Sequence, residues 1–184
     1  MLNNTVALLG GEAPAVGDYE SIATTTVGVG GTASVTFSSF PSTYKHLQIR
    51  CLARGTAVAT YDYLRIRLNS ATTGYSRHAL LGNGSAASAS GGGSDVLIGM
   101  GEIPASTSTA NIFGAAVVDI LDYSNTNKYK TVRGLSGNDQ NGSGTMYLAS
   151  GAYYTNTNAI TSITLFPDTT LFAQNSTFAL YGVK

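Results

Sequence analysis

A chain of 184 residues fits one domain, or one domain with an arm, and is long enough to bury a core without disulfide or metal staples. Ten basic and ten acidic residues cancel to a formal charge of zero. That balance argues against nucleic acid or an anionic membrane as partner, and it favours association because weakly charged chains repel one another little. Only 11 % of residues are charged, while Gly (22) and Tyr (11) are frequent, the make-up of strands joined by tight turns.

Residues 1–18 show neither a helical nor a strand period and carry Gly10, Gly11, Pro14 and Gly17. They are expected to form an extended N-terminal arm whose apolar contacts are Leu2, Val6, Leu8 and Leu9. The run from Val6 to Leu9 lacks a basic leader and is too short for a signal peptide, and no stretch reaches the roughly 20 apolar residues of a spanning helix. From Tyr19 onward the chain reads as a single domain, 19–184, of strands. In order these are YESIATTTV (19–27), TASVTF (32–37), KHLQIRCLAR (45–54), YDYLRIRLN (61–69), SRHALL (76–81), DVLIGM (95–100), NIFGAAVVDIL (111–121), KYKTVRGL (128–135), TMYLASGAY (145–153), AITSITLF (159–166) and NSTFALYGV (175–183).

Gly, Asn and Pro-rich turns separate the runs, and strands at such short intervals predict an all-β antiparallel sandwich, jelly-roll-like. In the third run, Leu47, Ile49 and Cys51 alternate with His46, Gln48 and Arg50, so the first set is assigned to the core and Gln48 and Arg50 to the surface. The segment Ile112–Leu121 is read as a central strand buried on both faces. The low-complexity stretch 84–95 is read as an exposed loop.

The sequence offers little chemistry. Two histidines, His46 and His78, sit in strands without a nucleophile elbow or related signature. A single cysteine, Cys51, has no disulfide partner and reads as a small buried hydrophobe. No metal site is expected, since the close Cys and His spacings of zinc sites are missing and Asp119 and Asp122 fit turn chemistry better than a calcium loop. The Gly-rich runs precede no helix that could complete a phosphate cradle, so no cofactor is expected. Asn-x-Ser/Thr matches at Asn3, Asn83, Asn141 and Asn175 are discounted. One cluster stands out: six of the ten basic residues, Lys45, Arg50, Arg54, Arg65, Arg67 and Arg77, lie between 45 and 77 with only Asp62 among them. Arg50, Tyr61, Tyr63, Arg65 and Arg67 are therefore candidates for a subunit interface, since Arg and Tyr are enriched there. Pairing of 61–69 with 45–54 would bring Arg50 and Gln48 beside Arg65. The competing reading is an ordinary solvated face.

The order of YESIATTTVG, SVTFSSFPSTYKHLQIR, a strand ending in RLNS, TTGYS, LLGNGS, AITSITLF and the closing FALYGVK resembles a family of small virion structural proteins of tailed bacteriophages. The resemblance covers residues 19–183. Its most specific parts are the PSTY turn, the HLQIR strand and the LYGVK ending; Phe40 departs from the aliphatic residue more usual before the Pro. The resemblance implies an all-β module on the virion surface, made in the host cytoplasm, with no catalytic positions.

Within that resemblance two placements compete. With no repeat or heptad to build a shaft, a compact domain with a short arm suits a capsid decoration (cement) protein, commonly a trimer. Its partners would be itself and the major capsid protein. The alternative is a short tail-fibre or fibre-tip protein that binds host-surface glycan through loops bearing Tyr153, Tyr154 and Asn156. A polysaccharide-degrading enzyme would need paired carboxylates about 5–9.5 Å apart, and the acids are scattered; the chain is expected not to be an enzyme.

Overall fold

Successive side chains of a strand point to opposite faces, so an alternating sequence builds a sheet with one buried face. The computed structural model describes residues 17–184 in twelve strands. They are β1 (Tyr19–Thr26), β2 (Val35–Ser38), β3 (His46–Ala53), β4 (Tyr61–Leu68), β5 (Tyr75–Gly82), β6 (Ala87–Asp95), β7 (Ile98–Pro104), β8 (Gly114–Leu121), β9 (Lys130–Asp139), β10 (Gly144–Tyr153), β11 (Ser162–Pro167) and β12 (Thr177–Val183). The rule is clearest in β2, β4, β8, β9 and β11, while β7 is buried along its whole length. The arm residues Leu2, Val6, Leu8 and Leu9 lie outside the described residues.

The strands form two antiparallel sheets of unequal width. The wide one has eight strands in the order β1-β12-β3-β8-β9-β10-β5-β6, and the narrow one has four, β2-β11-β4-β7. Their inner faces share one apolar core that includes Leu47, Ile49, Leu64, Ile66, Val118, Ile120, Phe172 and Phe178, all buried. The expected sandwich is therefore present, with Leu47, Ile49 and Cys51 facing inward as read. Burial pushes the Cys51 thiol up to about 12, as expected of a thiol without water.

Two expectations are corrected. Residues 87–95, read as part of a loop, are the edge strand β6, paired to β5 from Gly82↔Ala87 to Tyr75↔Asp95. Ala, Ser and Gly carry no apolar alternation, so main-chain pairing alone defines this strand. Strand β8 is central but not buried on both faces: Ala116, Val118 and Ile120 point into the core while Ala115 and Val117 are exposed.

Local chemistry fixes the turns. Asn69, Asn111, Asn141 and Asn175 all have positive φ, a conformation Asn tolerates better than most residues. The buried Asp62 carboxylate accepts hydrogen bonds from the backbone N–H of Tyr63 (2.7 Å) and Asp168 (3.1 Å) and from the hydroxyls of Thr169 (3.1 Å) and Thr170 (3.3 Å). It ties β4 to the turn after β11. The PSTY turn and the LYGVK ending meet directly: a Cβ on Gly182 would lie 2.3 Å from the Tyr44 ring, so only glycine lets that ring pack on the β12 backbone.

Candidate contact surface

The outer face of the wide sheet is where the fold exposes most apolar surface. Cross-strand register places Leu80 beside Leu148, Leu148 beside Leu135, and Leu135 beside Val117. A second row, two residues along the strands, runs Met146, Gly137, Ala115, Leu52. Fractional exposures are 51 % for Leu80, 55 % for Leu148, 51 % for Leu135, 39 % for Val117, 66 % for Met146 and 55 % for Leu52. These six residues leave on the order of 500 Å² in water, in the upper range of the largest patch on an ordinary monomer. Scattered leucines need no explanation; a row in register across four strands does.

A polar row borders it. His78, Ser150, Arg133, Asp119 and Gln48 follow one another across β5, β10, β9, β8 and β3. Gln48, expected at the surface, is instead buried within this row: it donates to Asp119 Oδ1 (2.8 Å) and accepts from Arg50 Nε (2.7 Å). The Arg50 guanidinium lies 5.2 Å from the Tyr19 ring centroid and 5.0 Å from that of Tyr181, within cation–π range. Arg133 is exposed, stands directly opposite Asp119, and has no ion-pair partner among the described residues.

The other arginines lie elsewhere, which corrects the expected juxtaposition. β3 and β4 belong to different sheets, so Arg50 and Gln48 are not neighbours of Arg65. Tyr61, Tyr63, Arg65 and Arg67 do share one face of β4. The Tyr61 and Tyr63 rings meet edge to face at 5.4 Å, and Arg65 sits 4.5 Å over Tyr63 while bonding Asp168 at 3.0 Å. Arg67 lies 4.8 Å over Phe166 and donates to the Val96 carbonyl (3.1 Å). Burial, helped by Tyr61, pushes the Tyr63 phenol up to about 12. Where the β7 side of the narrow sheet meets β5, β6 and β10, a cleft of about 300 Å³ is lined by Tyr63, Arg65, Arg77, Ser88, Ser90 and Tyr147, among others. Arg77 bonds Asp95 at 3.1 Å.

Of the three loop residues read as ligand contacts, Tyr153 is buried and packs against Tyr75 at 5.1 Å, with its hydroxyl accepting from Asn156 Nδ2 (3.1 Å). It serves the core, and its ring offers no platform for a sugar. Tyr154 is partly exposed, and its hydroxyl accepts from the Ser94 N–H (2.8 Å). The histidines are apart: His46 Nδ1 accepts from the Asp122 N–H (2.9 Å), and His78 lies exposed on β5. Lys128 bonds the Asp122 carboxylate and holds it below the usual range. No group of three His, Cys, Asp or Glu residues among those described could hold a metal ion.

Besides Asp62, two further charged residues that the sequence reading does not single out are buried, Lys130 and Glu102. Lys130 is fully buried, and its ammonium donates to the carbonyls of Asn125 (2.5 Å), Lys128 (2.9 Å) and Thr157 (2.9 Å). Burial pulls its pKa below the ordinary lysine value, yet three acceptors match the three N–H groups of the charged form. Glu102 is buried at the end of a chain of bonds running Gln140 to Asn138 (3.1 Å), Asn138 to Thr145 (3.0 Å) and Thr145 to Glu102 Oε2 (3.0 Å).

Desolvation raises the Glu102 pKa above the usual carboxylate value. A raised pKa means that the stability present below the unfolded-state value is lost as pH climbs through the folded one. Replacing Glu102 with Gln is expected to raise the melting temperature at pH 7 by a few degrees and to change it little near pH 4. A pair of melts at the two pH values checks this; a lower melting temperature at pH 7 would mean that the ionised carboxylate is needed.

Compared with protein-family models, curated proteins and solved structures, the chain matches none.

Proposed function

We propose that the protein is a non-enzymatic structural subunit of a tailed-phage virion, a capsid decoration protein on the outer surface of the head. The observation that carries the structural role is the apolar face of the wide sheet, an area of exposed Leu, Val and Met suited to contact between proteins. The virion placement rests on the resemblance of residues 19–183. In this reading the arm, through Leu2, Val6, Leu8 and Leu9, and the open strand edges engage the major capsid protein, because an edge offers unpaired main-chain groups to an added strand. The subunit also contacts copies of itself.

Binding of the full chain, and of a chain lacking residues 1–18, to expanded undecorated heads tests the proposal. Saturable binding that depends on the arm is the expected result. Absence of binding by either chain, or labelling of particles on the tail alone, would overturn it.

A second reading, a fibre tip that binds host glycan, draws on the cleft between β4, β5 and β6. There Tyr63 and Tyr147 supply phenols and Arg65 and Arg77 guanidinium groups with donors beyond the Nε atoms used in their ion pairs. A glycan array with the purified chain separates the two readings; no binding where the intact phage adsorbs would count against the second.

A further inference from the structure

We infer that the outer face of the wide sheet binds a second copy of this chain, the two sheets packing face to face about a two-fold axis that runs parallel to the strands between β8 and β9. This deepens the assembly-subunit reading and rests on it. The first argument is area. The exposed apolar residues bury on the order of 500 Å² per copy, and the flanking Ala115, Ser150 and Arg133 bring the patch toward the roughly 800 Å² per partner of a standard interface.

The second argument is complementarity. An axis along the strands keeps each residue's height and exchanges its column, so β9 of one copy covers β8 of the other at the spacing of stacked sheets, about 10 Å. Leu135 then meets Val117 of the second copy, Met146, on β10, meets Leu52, on β3, and Leu148 lies over Arg50, whose stem can cover it. The same operation sets Arg133 over Asp119 of the second copy, twice in the dimer. Within one chain this pair is in register but unjoined: Asp119 is taken by Gln48 at 2.8 Å, and Arg133 is left with no carboxylate among the described residues. A second copy supplies one, at the border of the apolar rows.

Sedimentation equilibrium of the full chain at tens of micromolar, where a modest interface is populated, is expected to give twice the 19.0 kDa chain mass. Leu135→Lys is expected to weaken the dimer at least about tenfold. Since Leu135 is half exposed, its far-UV circular dichroism should be unchanged. Arg133→Asp should weaken it by a similar factor, and Arg133→Asp combined with Asp119→Arg should recover most of the loss, because the charges are then exchanged.

A monomeric or trimeric native chain, or a dimer that survives Leu135→Lys, would overturn the inference. A charge exchange that fails to recover association would overturn the placement of the axis. Head binding by a monomer removes this inference and leaves the decoration reading standing; a dimer that ignores heads does the reverse.

Discussion

Replacing Lys130 by methionine lowers the free energy of unfolding by about 1–3 kcal/mol, the range for leaving buried acceptors without their donor. Methionine fills much of the space but offers no donor, so the carbonyls of Asn125, Lys128 and Thr157 lose the ammonium that now joins them. Two of these carbonyls belong to the turn before β9 and the third to the segment after β10, which makes Lys130 the clamp that holds both connections against the end of the wide sheet. Urea unfolding monitored by tyrosine fluorescence gives the number. A loss below about 1 kcal/mol, the net worth of a single ordinary hydrogen bond, would mean that water enters and replaces the ammonium.

Ile49 is the second site of large effect. Its side chain is fully buried on β3, and its sheet neighbours are Leu180 on β12 and Val118 on β8. Truncation to alanine should cost about 2–5 kcal/mol, the transfer term of the lost carbons plus a cavity that flanking strands cannot close. A thermal melt reads the effect directly. An unchanged melting temperature would require that Ile49 lies on the outer face, which would turn every residue of β3 over with it.

Alternation was the most legible property of the chain. Parity alone places Leu47, Ile49 and Cys51 in the core, and the same parity carries a further signal. Lys130 shares it with Val132, and Asp62 shares it with Leu64 and Ile66, so both charges were marked as inward-facing. What alternation does not encode is which strand meets which. β3 lies between β8 and β12, partners far along the chain, while β4 joins the other sheet; a local pattern carries no information on such pairing. For that reason the Arg and Tyr residues between 45 and 77 looked like one patch and are two. β6 was hidden for a different reason: in Ala, Ser and Gly the two faces of a strand are alike. The apolar row across Leu80, Leu148, Leu135 and Val117 likewise exists only once four strands are aligned.

The position of β12 sets the timing of folding on the ribosome. It is the last of the twelve strands to be made, yet it fills the slot between β1 and β3. Until residues 177–183 emerge, β1 has no partner among the described strands and β3 keeps a bare edge. The loop closed when β12 reaches β1 spans nearly the whole described chain, and closures of that length are slow. The nascent protein therefore carries open edges, prone to pairing with neighbours, until synthesis of this strand is complete. A chain stopped short of Thr177 would be an aggregation hazard, and a chaperone that covers strand edges would raise the yield of the folded protein.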